Sequence, residues 1–153
     1  SSNSINITDL APTPSQVSSS REGRLLNILG GKEHHDDYWQ QFFQTKGARA
    51  IWEELKLVKK QKARLVVHVE LKWLENTPTP AQIYEVTEGI ISYLVENKIQ
   101  VTNLAIVGNS KSGKQLHQLP PTISKLTTLV NLSLAYNALA DLPPALSELP
   151  SLM

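Results

Sequence analysis

The C-terminal third of the chain repeats itself, and that repeat limits the fold more than any other feature. Leu119-Pro120, Ile123, Leu126 and Leu129 recur as Leu142-Pro143, Leu146, Leu149 and Leu152, 23 residues further on. Pro121 and Pro144 keep the same register. A unit this short cannot close a hydrophobic core alone, so each copy must bury its apolar side chains against a neighbour. Within one unit, Leu129, Leu132, Leu134, Asn137 and Leu139 follow the spacing L-x-x-L-x-L-x-x-N-x-L. Leu132 and Leu134 alternate with polar or small residues and so share one side of a short strand.

This spacing and period resemble the leucine-rich repeat, whose units run to about 20–29 residues. The resemblance implies an α/β fold: a short solenoid of parallel strands, with helices or turns on the convex side. It also assigns Asn137 to bonding backbone groups where the chain leaves its strand. The Leu-Pro pair then starts the convex return, where proline fixes an extended backbone. Val101, Leu104, Ile106 and Asn109 match the strand motif, followed by a five-residue insertion before Leu116. Val66, Val69, Leu71 and Leu74 match it less well, with Leu74 in place of the asparagine. The expectation is about three repeat units over residues 63–153. Leu152 occupies the position of Leu129, so the chain stops as another strand would start. That ending points to the N-terminal part of a longer repeat protein. The alternative is self-association through an open C-terminal edge.

Upstream, residues 1–20 hold seven serines, two prolines and a single charge, Asp9. Such a segment buries too little surface to offset its ordering entropy and reads as a flexible tail. Residues 21–62 read as a helical cap over the first repeat. Asp36 and Asp37 can cap a helix bearing Tyr38, Trp39, Phe42 and Phe43 on one face, which Gly47 ends. A second helix runs from about Ala48 to Lys60, with Ile51, Trp52, Leu55 and Val58 at helical spacing. Beyond it, Leu65–Leu71 reads as a largely buried strand. Thr79 caps a further helix that begins with Pro80 and runs to about Glu96. Trp39 and Trp52 are expected in the core, and Trp73 partly exposed.

Several function classes are disfavoured. Fifteen basic and fourteen acidic residues leave a formal charge of +1, which argues against a general grip on nucleic acid or an anionic membrane. The chain has no cysteine, so disulfides, thiolate catalysis and cysteine-bound zinc are excluded within it. Apolar runs such as Leu65–Val67 are far too short to span a bilayer. Glu33-His34-His35-Asp36-Asp37 gathers potential metal ligands, but adjacent residues rarely converge on one ion, and capping explains the aspartates. His68 and His117 stand alone, and no catalytic residues are assigned. The run Lys59, Lys60, Lys62, Arg64 reads as a solvated helix end. No cofactor is expected.

The sharpest rival motif is Gly108-Asn109-Ser110-Lys111-Ser112-Gly113-Lys114-Gln115, which fits the phosphate loop G-x-x-x-x-G-K. Gln115 stands where that motif needs a Ser or Thr hydroxyl for magnesium. Pro120-Pro121 also interrupts the helix that should follow. Nucleotide binding through residues 108–114 therefore ranks behind protein binding as an alternative.

The x positions of the strand motif would line the concave sheet, the usual binding surface of such solenoids. They are His68, Glu70, Lys72, Asn103, Ala105, Val107, Asn131, Ser133 and Ala135, with Tyr136 beside the row. The expected function is a non-enzymatic module that binds another protein there. A Ser-rich leader, helical cap and Leu-Pro-Pro repeats resemble bacterial leucine-rich-repeat effectors, including those of ubiquitin-ligase type. That resemblance implies a host protein as partner, with catalysis in a separate domain. The expected location is cytoplasmic, or inside a host cell if the chain is delivered as an effector.

Overall fold

A computed structural model describes residues 34–61, 66–142 and 144–149. The architecture below belongs to the unit Asp36–Met153. The expected tail at 1–20, residues Lys62 to Leu65 and the strand start at Leu152 lie outside the described residues.

Helix α1 (Asp36–Thr45) carries both aspartates in its first turn rather than ahead of it, where they suit the positive end of the helix dipole. Gly47 adopts a φ of 67°, a left-handed conformation that favours glycine, and turns the chain into α2 (Arg49–Lys60). The two helices run antiparallel, and Lys59 near the end of α2 pairs with Asp36 at the start of α1 at 3.2 Å. Their facing sides are aromatic. Trp39 and Phe43 meet with ring centroids 5.9 Å apart, and Phe43 stacks on Trp52 at 5.8 Å. Trp39, Phe43, Ile51, Trp52, Leu55 and Val58 are buried, as their helical spacing requires.

Strand β1 (Val66–Glu70) follows and turns at once into a single 3-10 segment, Leu71–Trp73. Helix α3 (Pro80–Glu96) then starts on a complete capping box. The Thr79 hydroxyl accepts from the Gln82 amide, and the Gln82 side chain accepts from the Thr79 amide at 2.7 Å. One side of α3 buries Ile83, Val86, Ile90 and Leu94. Tyr93 reaches the aromatic layer and meets Trp52 edge-on at 5.3 Å. Gly89 lies where the Phe42 ring presses against α3, and a Cβ there would strike that ring.

Strands β2 (Asn103–Val107) and β3 (Asn131–Ser133) complete a parallel sheet of order β1-β2-β3. Between them the chain forms the turn at 109–114 and a 3-10 segment, Pro121–Lys125. A last 3-10 segment spans Pro144–Glu148. The described residues thus form a mixed α/β fold with three α-helices and a three-stranded parallel sheet. Val67, Val69, Leu104 and Ile106 form the buried side of the sheet, continuous with Leu116, Leu119, Ile123, Leu126 and Leu129.

The strand register corrects one expectation. Val67 pairs with Leu104 and Val69 with Ile106. The motif of the first unit therefore starts two residues earlier than the alignment through Val66, Val69 and Leu71 places it. Val66 is 51 % exposed, whereas Val67 is fully buried. The shift is of two residues, so His68, Val69 and Glu70 keep their expected sides and only the frame changes: Val67 and Leu71 flank Val69 alike, and pairing with β2 decides between them. Leu71 and Leu74 are buried all the same, brought inward by the 3-10 turn instead of the strand.

Candidate interaction face

The outward side of the sheet collects most of the expected residues into rows. Val66, Asn103 and Asn131 form one row across the three strands, and His68, Ala105 and Ser133 form the next. Glu70 pairs with Val107 in a third. Parallel neighbours lie about 4.8 Å apart, so each full row spans roughly 10 Å. Ala135 follows β3, and its carbonyl accepts the Gly108 amide at 2.9 Å, which extends the alignment past the last ladder pair. Lys72 does not share this strand geometry, because it sits in the 3-10 turn.

Lys72 nevertheless joins the charged end of the face. Its ammonium lies 3.3 Å from Glu70 Oε1, while His68 Nε2 lies 3.0 Å from Glu70 Oε2. The hydrogen bond from His68, reinforced by Lys72, holds the Glu70 carboxyl below the usual carboxylate range. The edge of the Trp73 ring stands 6.5 Å from the His68 ring, centroid to centroid. The opposite end is small and uncharged, with Ala105, Ser133 and Ala135 beside Asn103 and Asn131. Val66 and Trp73 belong to this surface and were not picked out by sequence spacing. The parity of β1 was the signal that would have found Val66.

Tyr136 closes the row. It is 71 % exposed and holds a φ of 62°, a conformation uncommon for a bulky residue. Three neighbours determine that backbone. The Tyr136 carbonyl accepts from Gln115 Nε2 at 2.9 Å. Gly108 lies directly against the same carbonyl, where any Cβ would collide. The adjacent Asn137 carboxamide is anchored on both atoms: Nδ2 donates to the Ile106 carbonyl at 2.7 Å and to the Leu134 carbonyl at 3.2 Å, while Oδ1 accepts from the Leu116 amide at 2.8 Å. A half-buried amide thus ties β2, the segment after the insertion and the end of β3 together.

The phosphate-loop motif folds into a different object. Asn109 Oδ1 accepts from both the amide and the hydroxyl of Ser112, at 3.0 and 3.1 Å. The Asn109 amide donates to the Lys114 carbonyl, the Gln115 amide to Gly113, and the Gly108 amide to Ala135. The amides of Gly108, Asn109, Ser112 and Gln115 are thus engaged within the protein. The Lys114 ammonium donates to the Leu74 carbonyl, and a 3-10 segment rather than an α-helix follows at Pro121. Near the N-terminal aspartates, Asp36 is engaged by Lys59. Among the described residues, no group of three or more His, Asp or Glu side chains is placed to hold a metal ion. None of the described helices is long and apolar enough to cross a membrane.

No known protein family, curated protein or solved structure matches the chain.

Proposed function

We propose that this chain is a short leucine-rich-repeat solenoid with an N-terminal helical cap, and that it binds another protein on the concave face of its sheet. The observation that carries this reading is the asymmetry of the sheet. One side is an unbroken apolar layer, and the other is a register-aligned surface of small, polar and mutually neutralised residues. A rigid array of that kind costs a partner little reorganisation, which favours protein recognition. The anchoring of Asn137 at a strand exit supports the repeat assignment, because the family uses its asparagine in that way. The partner is a protein of a host cell, with the chain acting as the recognition part of a bacterial effector.

The test uses the intact chain as immobilised bait in host-cell and bacterial lysates. A control bait carries Ala105→Arg and Ser133→Arg, two bulky charges in the small-residue trough. Circular dichroism and thermal unfolding establish that both baits are folded. Partners retained by the native bait from host lysate, and lost with the control, are the expected result. Equal retention by both baits would remove the sheet face as the working surface.

A further inference from the structure

A second surface lies apart from the sheet, on the side of α3 turned from the core. There a cleft of about 540 Å³ is lined by Pro80, Ala81, Tyr84, Glu85 and Glu88 of α3 and by His117 and Gln118 of the segment after the insertion. Its polar groups are unevenly matched. Glu85 is engaged by Lys46 at 2.9 Å, through an exposed ion pair. Glu88 is half-buried and makes no hydrogen bond or ion pair among the described residues. Burial, and then the charge of Glu85, push the Glu88 carboxyl above the usual carboxylate range, and Lys125 offsets this only in part. A half-buried carboxylate without a partner is costly, and the cost falls when a cation arrives.

The walls narrow the choice of cation. The Tyr84 ring and the Pro80 and Ala81 side chains offer an apolar surface beside the carboxylates. An arginine side chain matches that combination: its aliphatic stem lies on apolar surface, its planar guanidinium stacks on an aromatic face, and its paired N–H groups meet a carboxylate. A compact, strongly hydrated ammonium makes less use of the tyrosine ring. We propose that the cleft between α3 and His117–Gln118 receives an arginine side chain presented by a partner polypeptide. The site shares no residue with the sheet face, so either can fail without the other.

The experiment is a titration of the full chain followed by two-dimensional amide NMR, with N-acetyl-arginine amide as probe. The uncharged analogue N-acetyl-citrulline amide and N-acetyl-lysine amide serve as comparators. The arginine probe is expected to shift the amides of Ala81, Tyr84, Glu88 and His117, about fivefold more than the citrulline probe at equal concentration. Glu88→Gln is expected to reduce that response several-fold while leaving the rest of the spectrum in place. Equal shifts from arginine and citrulline would overturn the proposal, as would an unchanged response in Glu88→Gln. A lysine response matching that of arginine would overturn the assignment to arginine.

Discussion

Replacing Asn137 by alanine tests whether one half-buried amide ties the strands together. The substitution removes a donor from the Ile106 and Leu134 carbonyls and an acceptor from the Leu116 amide. Leu116 is fully buried, so its N–H has no ready access to water once Asn137 Oδ1 is gone. Each intramolecular hydrogen bond contributes about 0.5–1.5 kcal/mol net, and a stranded buried donor costs about 1–3 kcal/mol. Water can reach part of the vacated space, because Asn137 itself is only half-buried, which favours the lower half of the combined range. The expected loss is therefore about 2–3 kcal/mol. Urea unfolding should show it as a midpoint lowered by roughly 1–2 M with an unchanged slope. Native-state hydrogen exchange should locate it: the Leu116 amide, slow in the native chain, becomes one of the faster core amides. A loss below about 0.5 kcal/mol, or a Leu116 amide that stays protected, would refute the reasoning. Asn137→Asp sharpens the result, since it keeps an acceptor for Leu116 but sets a carboxylate against two carbonyls. It should be about as damaging as alanine at neutral pH and recover on acidification, when the carboxyl can donate again.

Three further outcomes follow from the same structure. Gly89→Ala should destabilise by about 1 kcal/mol, the cost of crowding Phe42 outweighing the better helix propensity of alanine, and coupling with Phe42→Leu in a double-mutant cycle would confirm the contact. Tyr136→Asn should raise thermal stability slightly, by about 0.5 kcal/mol, because asparagine tolerates the left-handed backbone and the exposed ring gives up little packing; a clear loss in thermal melts would show that the ring packs. The Glu70 carboxyl should titrate below the ordinary range in carbon-detected NMR, and His68→Ala should return it further than Lys72→Ala does. Because its folded pKa is depressed, the stabilisation Glu70 supplies is present above the ordinary carboxylate range and is lost as pH falls through the folded value.

How much of this was legible beforehand depended on whether the determining contact was local. The start of α3 was legible because the Thr79-Pro80 pair and Gln82 act within one turn. The aromatic faces of α1 and α2 were legible for the same reason: helical spacing alone puts Trp39, Phe43, Ile51 and Trp52 on the buried side. The repeat frame of β1 was not, because Val67 and Leu71 flank Val69 alike and only pairing with β2 discriminates. Lys72 was carried one alternation too far, since nothing local announces that the chain leaves the strand at Leu71. The contact of Gly89 with Phe42 and the reach of Lys114 to Leu74 join residues some forty or more positions apart. No periodicity within a window of ten or twenty residues encodes such a pair.

The two asparagines of the strand motif show why spacing and role can part company. Asn137 and Asn109 occupy the same place in the L-x-x-L-x-L-x-x-N pattern. Asn137 has no insertion after it, and its amide reaches back across the sheet to Ile106. Behind Asn109 lies the five-residue insertion, and its side-chain oxygen is drawn into that turn by Ser112. If nothing replaced the lost tie, the segment bearing β2 would be held to its predecessor only by the strand ladder and the core. The insertion supplies the replacement, because its last lysine, Lys114, donates to the Leu74 carbonyl just past the 3-10 turn that follows β1, where Lys72 stands at the position of the asparagine. The same turn faces forward as well: Gln115 holds the Tyr136 carbonyl, and the Leu116 amide engages Asn137. The stretch that imitates a phosphate loop thus joins the turn after β1 to the segment after β3. Lys114 and Gly108 answer to backbone carbonyls, and Gly113 to a left-handed turn with a φ of 73°.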